Sequence, residues 1–312
     1  MKIFKNFIIP KKYKRSSLAI GNFDGIHKGH QKVFEKAKKY SKNLKSKFGI
    51  LTFSPLPIMF FNKKILNYRL ISENEKFRLL KKFKVDFIIN INFNKNFSKI
   101  SAENFLKNLI YKKINPKRIF VSNNFKFGNK RKGNVNLLKK FEKKYDYKLL
   151  KVTPYKYKDK IVSSTRIRKL LHKGEINLAN KLLSKTWLID GNVIKGKKLG
   201  RKLGYRTCNI EIKSYLLPKK GIYAVKVLVE NKKKIHDGVA YLGSRPTFKG
   251  KEVFLEINIF GIKKNLYKKK LRVHFIKFIR KDKKFRSPSE LIKQMNKDVI
   301  FAKKGLKGKI VV

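Results

Sequence analysis

The sequence predicts an α/β half followed by an all-β half that closes with a helix. Three observations carry this reading. Over residues 1–185, short apolar runs alternate with amphipathic stretches of helical period, the pattern of a parallel sheet covered on both faces. From residue 186 onward the pattern becomes short alternating or apolar runs separated by Gly, Asn and Lys, which reads as an antiparallel sandwich or barrel. The final stretch, SPSELIKQMNKDVIFAKK (287–304), has Ser287 as a helix cap with Glu290 three residues behind it. The expected domains are therefore residues 1–185 and 186–312, with the boundary near 183–190.

Each element of the first half has a local cause. SSLAIGNF (16–23) is a buried strand, and HQKVFEKAKKY (30–40) places Val33, Phe34, Ala37 and Tyr40 on one helix face with lysines opposite. FGILTF (48–53) is a strand; ISENEKFRLLKKF (71–83) is a helix opened by Ser72 with Glu75 behind it. VDFIININF (85–93) is a strand, SAENFLKNLI (101–110) a Ser-capped helix and RIFVSNN (118–124) a strand. NVNLLKKFEKKY (134–145) is a helix and KLLKVTPY (148–155) a strand, followed by helices over STRIRKLLHKG (164–174) and INLANKLLSK (176–185). In the second half WLIDGNVI, TCNIEI, GIYAVKVLVE, IHDGVAYLG, VFLEINIFG and LRVHFIKFI are the strands.

The chain carries 82 Lys+Arg against 19 Asp+Glu, a formal net charge of +63. Charge of that size raises the question of a polyanion partner. The lysines occur in nearly every block of ten, however, mixed with Phe, Ile and Asn, whereas nucleic-acid binders gather theirs on one face. A background drift in composition is the preferred reading, and no nucleic-acid partner is expected. The field still favours anionic substrates such as nucleotides. A hydrophobic content of 42 % is enough for packed cores. Cys208 is the only cysteine, so no internal disulfide forms and a reducing, cytoplasmic setting is expected. No apolar run is long enough to span a bilayer, and the start lacks a signal-peptide pattern.

AIGNFDGIHKGHQKVF (19–34) holds two of the five histidines, His27 and His30, in a glycine-rich turn after the first predicted strand. Three readings are open: a metal pair, a phosphate-contacting pair, or two polar residues in a solvated loop. A strand, glycine turn and helix aim backbone N–H groups and a positive dipole end at one point, which suits phosphate. Imidazoles there can donate to oxygens that gain charge during displacement at phosphorus. Zinc needs three or four protein ligands, and His172 is the only other histidine in this half. SSTRIR (163–168) is the second unusual run. Ser163, Ser164 and Thr165 can cap a helix and also contact phosphate, and Arg166 and Arg168 offer planar charged donors; the plainer reading is an ordinary cap with surface arginines.

GNFDGIHKGH followed much later by SSTRIR resembles the paired motifs of the HxGH nucleotidyltransferases. More closely, the first half resembles the bacterial bifunctional riboflavin kinase/FAD synthetase family, through FKFGNKRKG (125–133) and EINLANKLL (175–183) as well. The resemblance implies a Rossmann-like α/β domain that transfers AMP from ATP to FMN, with release of pyrophosphate. It implies that His27 and His30, with Gly21, Phe23, Gly25 and Gly29, meet the ATP phosphates. Ser164, Thr165 and Arg168 would hold phosphates from the opposite side, and Asn124 would lie near the flavin or nucleotide. Leu56 stands where the family has a histidine, and Ser122 and Asn124 where it often has Gly and Asp.

In the second half, GNVIKGKKLGRKLGYRTCNI (191–210) has glycines that let backbone N–H groups reach phosphate, among them Gly196 and Gly200. Thr207 and Asn209 are two apart and share a strand face; a hydroxyl and an amide oxygen are hard ligands that suit Mg²⁺ completed by ATP phosphates, or they form a polar face toward water. Glu256 sits in an apolar strand, where a carboxylate needs a reason: a base for an alcohol, or a partner for a lysine.

These segments, with GVAYLGSRPTF (238–248), LEINIF (255–260), LY (266–267) and IRKDKKF (279–285), follow in order the riboflavin kinase half of the same family. The resemblance implies a Greek-key barrel that phosphorylates riboflavin with Mg-ATP, Thr207 and Asn209 serving metal and phosphate and Glu256 as base. Arg280 and Phe285 would approach the flavin. The whole chain is thereby expected to make FMN from riboflavin and then FAD from FMN. Arg206 replaces a proline, Cys208 an alanine and Asp282 a glutamate. Because of Arg206, an enzyme with a weakened kinase half is the first alternative, and a basic nucleic-acid-binding protein the second.

Overall fold

A computed structural model of the chain describes residues 1–195, 204–212, 215–230, 232, 234–247, 250–262 and 264–306. The chain packs into two compact units, Met1–Leu66 with Glu73–Ser163, and Asn67–Ser72 with Ser164–Val312.

The first unit is built on a six-stranded sheet of β1 (Lys2–Phe4), β2 (Ser17–Ile20), β3 (Phe48–Ser54), β4 (Phe87–Asn92), β5 (Arg118–Ser122) and β6 (Lys148–Val152). Its order is β1-β4-β3-β2-β5-β6 and every pairing is parallel. Leu18, Ala19, Ile50, Leu51, Ile88, Ile89, Ile119 and Phe120 are fully buried, as strands covered on both faces require. Strand β1 is not expected from the sequence, because three residues at a sheet edge carry too short a pattern.

Helix α1 (Lys28–Asn43) follows β2, with Val33, Phe34 and Ala37 buried and Tyr40 half-buried under Arg118. Helix α2 is Glu73–Lys82. Ser101 caps Ala102–Asn104 by accepting from the Asn104 N–H, and that turn continues into a π-helical stretch, Phe105–Ile114. Asn134 likewise caps Val135–Lys140 by accepting from the Leu137 N–H. The sheet order reverses between β2 and β5, so their carboxyl ends leave side by side, where ligands of open α/β sheets bind.

The second unit is a closed antiparallel barrel of β7 (Leu188–Ile194), β8 (Thr207–Ile210), β9 (Gly221–Val229), β10 (Ile235–Thr247), β11 (Gly250–Ile259) and β12 (Lys270–Arg280). The order is β7-β8-β11-β10-β9-β12, and β7 pairs with β12 to close the ring. Three hairpin-linked strands, β9 to β11, with β12 returning beside β9, make the expected Greek key. Leu255, Ile257, Ala240, Leu242, Val273 and Phe275 are fully buried, and the terminal helix (Pro288–Gly305) packs Ala302 with Ala224. Ser287 caps that helix by accepting from the Glu290 N–H.

Helices Ser164–Lys173 and Ile176–Leu183 belong to this second unit. Asn180 explains part of the attachment: its side chain donates to the Phe275 carbonyl and accepts from the Trp187 N–H. The segment Asn67–Ser72 is also captured, with the fully buried Trp187 donating its indole N–H to the Leu70 carbonyl at 2.7 Å. Among the described residues no helix is long and apolar enough to cross a membrane.

Candidate active sites

The turn between β2 and α1 is tightly coiled. Phe23 (φ 49), Gly25 (φ 88) and Ile26 (φ 45) are all in the left-handed region within four residues. For Phe and a β-branched Ile this conformation costs on the order of 1–3 kcal/mol each and persists only where the surroundings impose it. Here burial imposes it: Phe23, Asp24, Ile26 and His27 are all nearly inaccessible.

The coil delivers two imidazoles to one place. His27 is extended (φ −72, ψ 170), and its carbonyl accepts from the N–H groups of His30 and Gln31, which starts the helix. The two rings stack with centroids 3.7 Å apart and planes 22° apart. The edge of Phe23 meets His30 at 5.3 Å, and Phe23 also packs on Phe34. Gly29 keeps the stack possible: a Cβ there would lie 3.1 Å from the His27 ring and 3.2 Å from the Val162 carbonyl. Gly21 likewise faces the Phe23 ring at 3.1 Å. The arrangement is a stacked imidazole pair at a helix N-terminus, where backbone N–H groups and the positive dipole end point the same way.

Val162 beside Gly29 shows that the chain entering SSTRIR reaches this turn within the first unit. Ser164, Thr165 and Arg168 themselves stand in the first two turns of Ser164–Lys173, in the second unit. Arg168 is buried there, stacked 3.8 Å over the Tyr68 ring and donating from Nε to the Tyr68 carbonyl. Tyr68 carries no sequence signal; it lies in a stretch, KKILNYRL (63–70), without period or motif.

Asn124 is exposed just beyond β5, and its Oδ1 accepts from the Ser122 hydroxyl at 3.0 Å. The FKFG loop is anchored behind it: Gly128 (φ 72) crosses the Ala102 backbone so closely that a Cβ would lie 2.6 Å away. Leu56 is buried at the start of the short helix Pro57–Phe61.

In the barrel, strand register assembles the second group. Asn209 pairs with Glu256, Thr207 with Asn258, and Glu256 in turn with Tyr241, so these side chains share one face. The Thr207 hydroxyl donates to Glu256 Oε1 in a short hydrogen bond. Asn258 donates to the Arg206 carbonyl at 2.8 Å, which ties down the turn before Thr207. Tyr241 donates to Asp282 at 2.7 Å; burial first, then Asp282, pushes its phenol well above the ordinary value of 10. Burial, then the Glu256 charge, pushes the Cys208 thiol up to about 12. A cavity of about 440 Å³ opens beside this group, lined among others by Arg206, Thr207, Cys208, Ile257, Lys264 and Tyr267.

Arg280 is committed to a buried carboxylate. Its Nε and Nη2 donate to Asp298 at 2.9 and 2.7 Å, and its guanidinium lies 5.8 Å from the Phe285 ring. Arg280 and Phe285, the two barrel residues expected near the flavin, are thus neighbours. Gly196 and Gly200 lie outside the described residues.

An α/β unit with a stacked HxGH pair at its switch point, joined to a Greek-key barrel with a Thr–Asn–Glu strand face, defines a nucleotidyltransferase fused to a flavokinase-type barrel. Comparison with known proteins bears this out. A family model described as FAD synthetase matches residues 9–166, and one described as riboflavin kinase matches residues 183–306. The bifunctional riboflavin kinase/FMN adenylyltransferase of Buchnera aphidicola subsp. Schizaphis graminum is 39 % identical over 93 % of this chain and 93 % of its own. The Escherichia coli K12 protein of the same description is 32 % identical over 92 % of this chain and 91 % of its own. A crystal structure titled as a macrolide-efflux protein from Streptococcus pneumoniae is 28 % identical, covers 96 % of this chain and 98 % of its own, and superposes with a TM-score of 0.84. The chain belongs to the bifunctional riboflavin kinase/FMN adenylyltransferase family, and its two activities are ATP-dependent: phosphorylation of riboflavin and adenylylation of FMN.

Proposed function

We propose that residues 1–185 adenylylate FMN and residues 186–312 phosphorylate riboflavin, each with its own ATP. The observation that carries the first assignment is the stacked His27–His30 pair at the α1 N-terminus. An FMN phosphate oxygen attacks the α-phosphorus of ATP, the bond to the bridging oxygen breaks, and pyrophosphate leaves. His27 and His30 donate to the phosphate oxygens that gain charge, while the helix end and the turn's N–H groups add fixed positive potential. Gly21, Phe23, Gly25 and Gly29 shape the cradle, and Ser164, Thr165 and Arg168 hold phosphates from their own helix. Asn124, leaving β5 beside the turn, orients flavin or nucleotide. No proton-transfer residue is needed; positioning and charge carry the step.

In the barrel, Glu256 takes the proton of the riboflavin 5′-hydroxyl as that oxygen attacks the γ-phosphorus of ATP; the bond from the γ-phosphorus to the β,γ-bridging oxygen breaks and ADP leaves. The donor set of Thr207 hydroxyl and Asn209 amide oxygen is all oxygen, which suits Mg²⁺. Thr207 and Asn209 would hold the ion with the ATP phosphates, and the ion would neutralise charge on the transferred group. The cavity beside Thr207, apolar at Ile257 and cationic at Arg206 and Lys264, suits the nucleotide. Arg280 and Phe285 face the flavin. The reactions run in the cytoplasm, which keeps Cys208 reduced.

Chromatography of products tests the partition. His30→Ala is expected to abolish FAD formation and spare FMN formation, and Glu256→Ala to do the reverse. Loss of the same activity in both variants would overturn the assignment.

A further inference from the structure

Lys76 is a charged side chain that neither half-reaction accounts for. It lies on α2, is 2 % exposed, and donates from Nζ to the Asn22 carbonyl at 3.0 Å and to the Thr52 hydroxyl at 3.3 Å. Thr52, fully buried on β3, donates to the same Asn22 carbonyl at 3.2 Å. Burying an ammonium is costly unless it is well coordinated, and the Asn22 carbonyl and Thr52 hydroxyl are among the groups that coordinate this one. That carbonyl begins the peptide unit leading into Phe23, the first left-handed residue of the turn. Two donors on one carbonyl fix the orientation of that peptide plane. The plane sets Phe23 in its left-handed well, and Phe23 in turn presents its ring edge to His30.

We infer that Lys76 is a positioning residue for adenylyl transfer: it clamps the Asn22 carbonyl and thereby holds Phe23 and the His30 imidazole in place. It touches no substrate. It acts through a peptide plane and a ring, and Thr52 is the second, neutral jaw of the clamp. The inference rests on the assignment of adenylyl transfer to the His27–His30 turn.

The test uses Lys76→Met, which keeps length and apolar bulk but removes the donor, and Thr52→Val as a milder companion. FAD formation from FMN and FMN formation from riboflavin are measured in the same preparation. Histidine ring resonances are followed by NMR, with His30 assigned by its loss in His30→Ala. Lys76→Met is expected to lower kcat for FAD formation by about 10- to 100-fold, the effect of a misplacement on the order of 1 Å. FMN formation should stay within about twofold of wild type, as the barrel's own activity. Thr52→Val should cost less, about three- to tenfold, since a neutral donor is weaker than a charged one. The His30 resonance should shift while those of His172 and His236, outside the first unit, stay. An unmoved His30 resonance with normal FAD formation overturns the clamp. So does a parallel loss of both activities, which marks a general folding defect. If Lys76→Met does not fold, Thr52→Val decides on the same two readouts. If His30→Ala leaves FAD formation intact while Lys76→Met still moves the His30 resonance, the clamp stands and the assignment of chemistry to His30 falls.

Discussion

The turn at His27 and the strand face at Glu256 are built in opposite ways. The first is mostly local: the stacked imidazoles and the rings and glycines they touch, from Gly21 to Phe34, lie within one strand–turn–helix passage, braced from outside by Thr52, Lys76 and Val162. The second is a product of register: Thr207 meets Glu256 across 49 positions of sequence only because β8 and β11 pair as they do. A local site is vulnerable to one misplaced atom. A register site is vulnerable to the loss of a single cross-strand bond, while its backbone survives.

The sharpest way to break that contrast is Gly29→Val. Its Cβ and methyls would intrude on the His27 ring and the Val162 carbonyl, and FAD formation should fall more than about 100-fold. FMN formation measured in the same sample should be unchanged. Next comes Thr207→Val, isosteric but without the hydroxyl that bonds Glu256. FMN formation should drop by about 10- to 100-fold with little change in melting temperature, and adenylylation of supplied FMN should persist.

A third change probes the frame of the barrel site. Asp298→Asn leaves the Arg280 guanidinium, only 15 % exposed, without its charged partner. Breaking one side of such a pair costs about 3 kcal/mol, read as a lower denaturant midpoint, and riboflavin KM should rise.

A smaller effect concerns pH. Burial raises the Cys208 thiol from 9.0 to about 12 and raises the phenols of Tyr147, Tyr215, Tyr223 and Tyr241 above 10. Above pH 9 the unfolded chain loses these protons while the native state keeps them. The native state then binds more protons, so stability falls as pH rises. Denaturant midpoints should decline from pH 8.5 toward pH 11, with a smaller decline in Cys208→Ala. The mildest change is Arg206→Pro. Because Asn258 already holds the Arg206 carbonyl, restoring a rigid residue should alter FMN formation by less than about threefold.

The contrast between the two sites also separates what is legible in the sequence from what is not. The Ser101 and Ser287 caps, the buried face of α1 and the glycine turn at 25–29 act through bonds a few residues long, and all are legible. Thr207, Asn209 and Glu256 can be nominated one by one, but their meeting cannot, since a one-residue slip would turn Glu256 to the other face. Tyr68 beneath Arg168 and Lys76 beneath Asn22 are not visible in the sequence at all. One lysine among so many, or one tyrosine in an unpatterned stretch, carries no periodic signal.

The sequence by itself determined the two-part architecture, most of the elements and the helix-opening glycine turn, because hydrophobic period, capping and glycine conformation are short-range properties. The tertiary structure alone decided that Asn67–Ser72 joins the second unit, that the barrel closes through β7 and β12, and which buried charges support which turn. Those outcomes depend on which distant surfaces bury one another, and burial is settled only when the whole chain has packed.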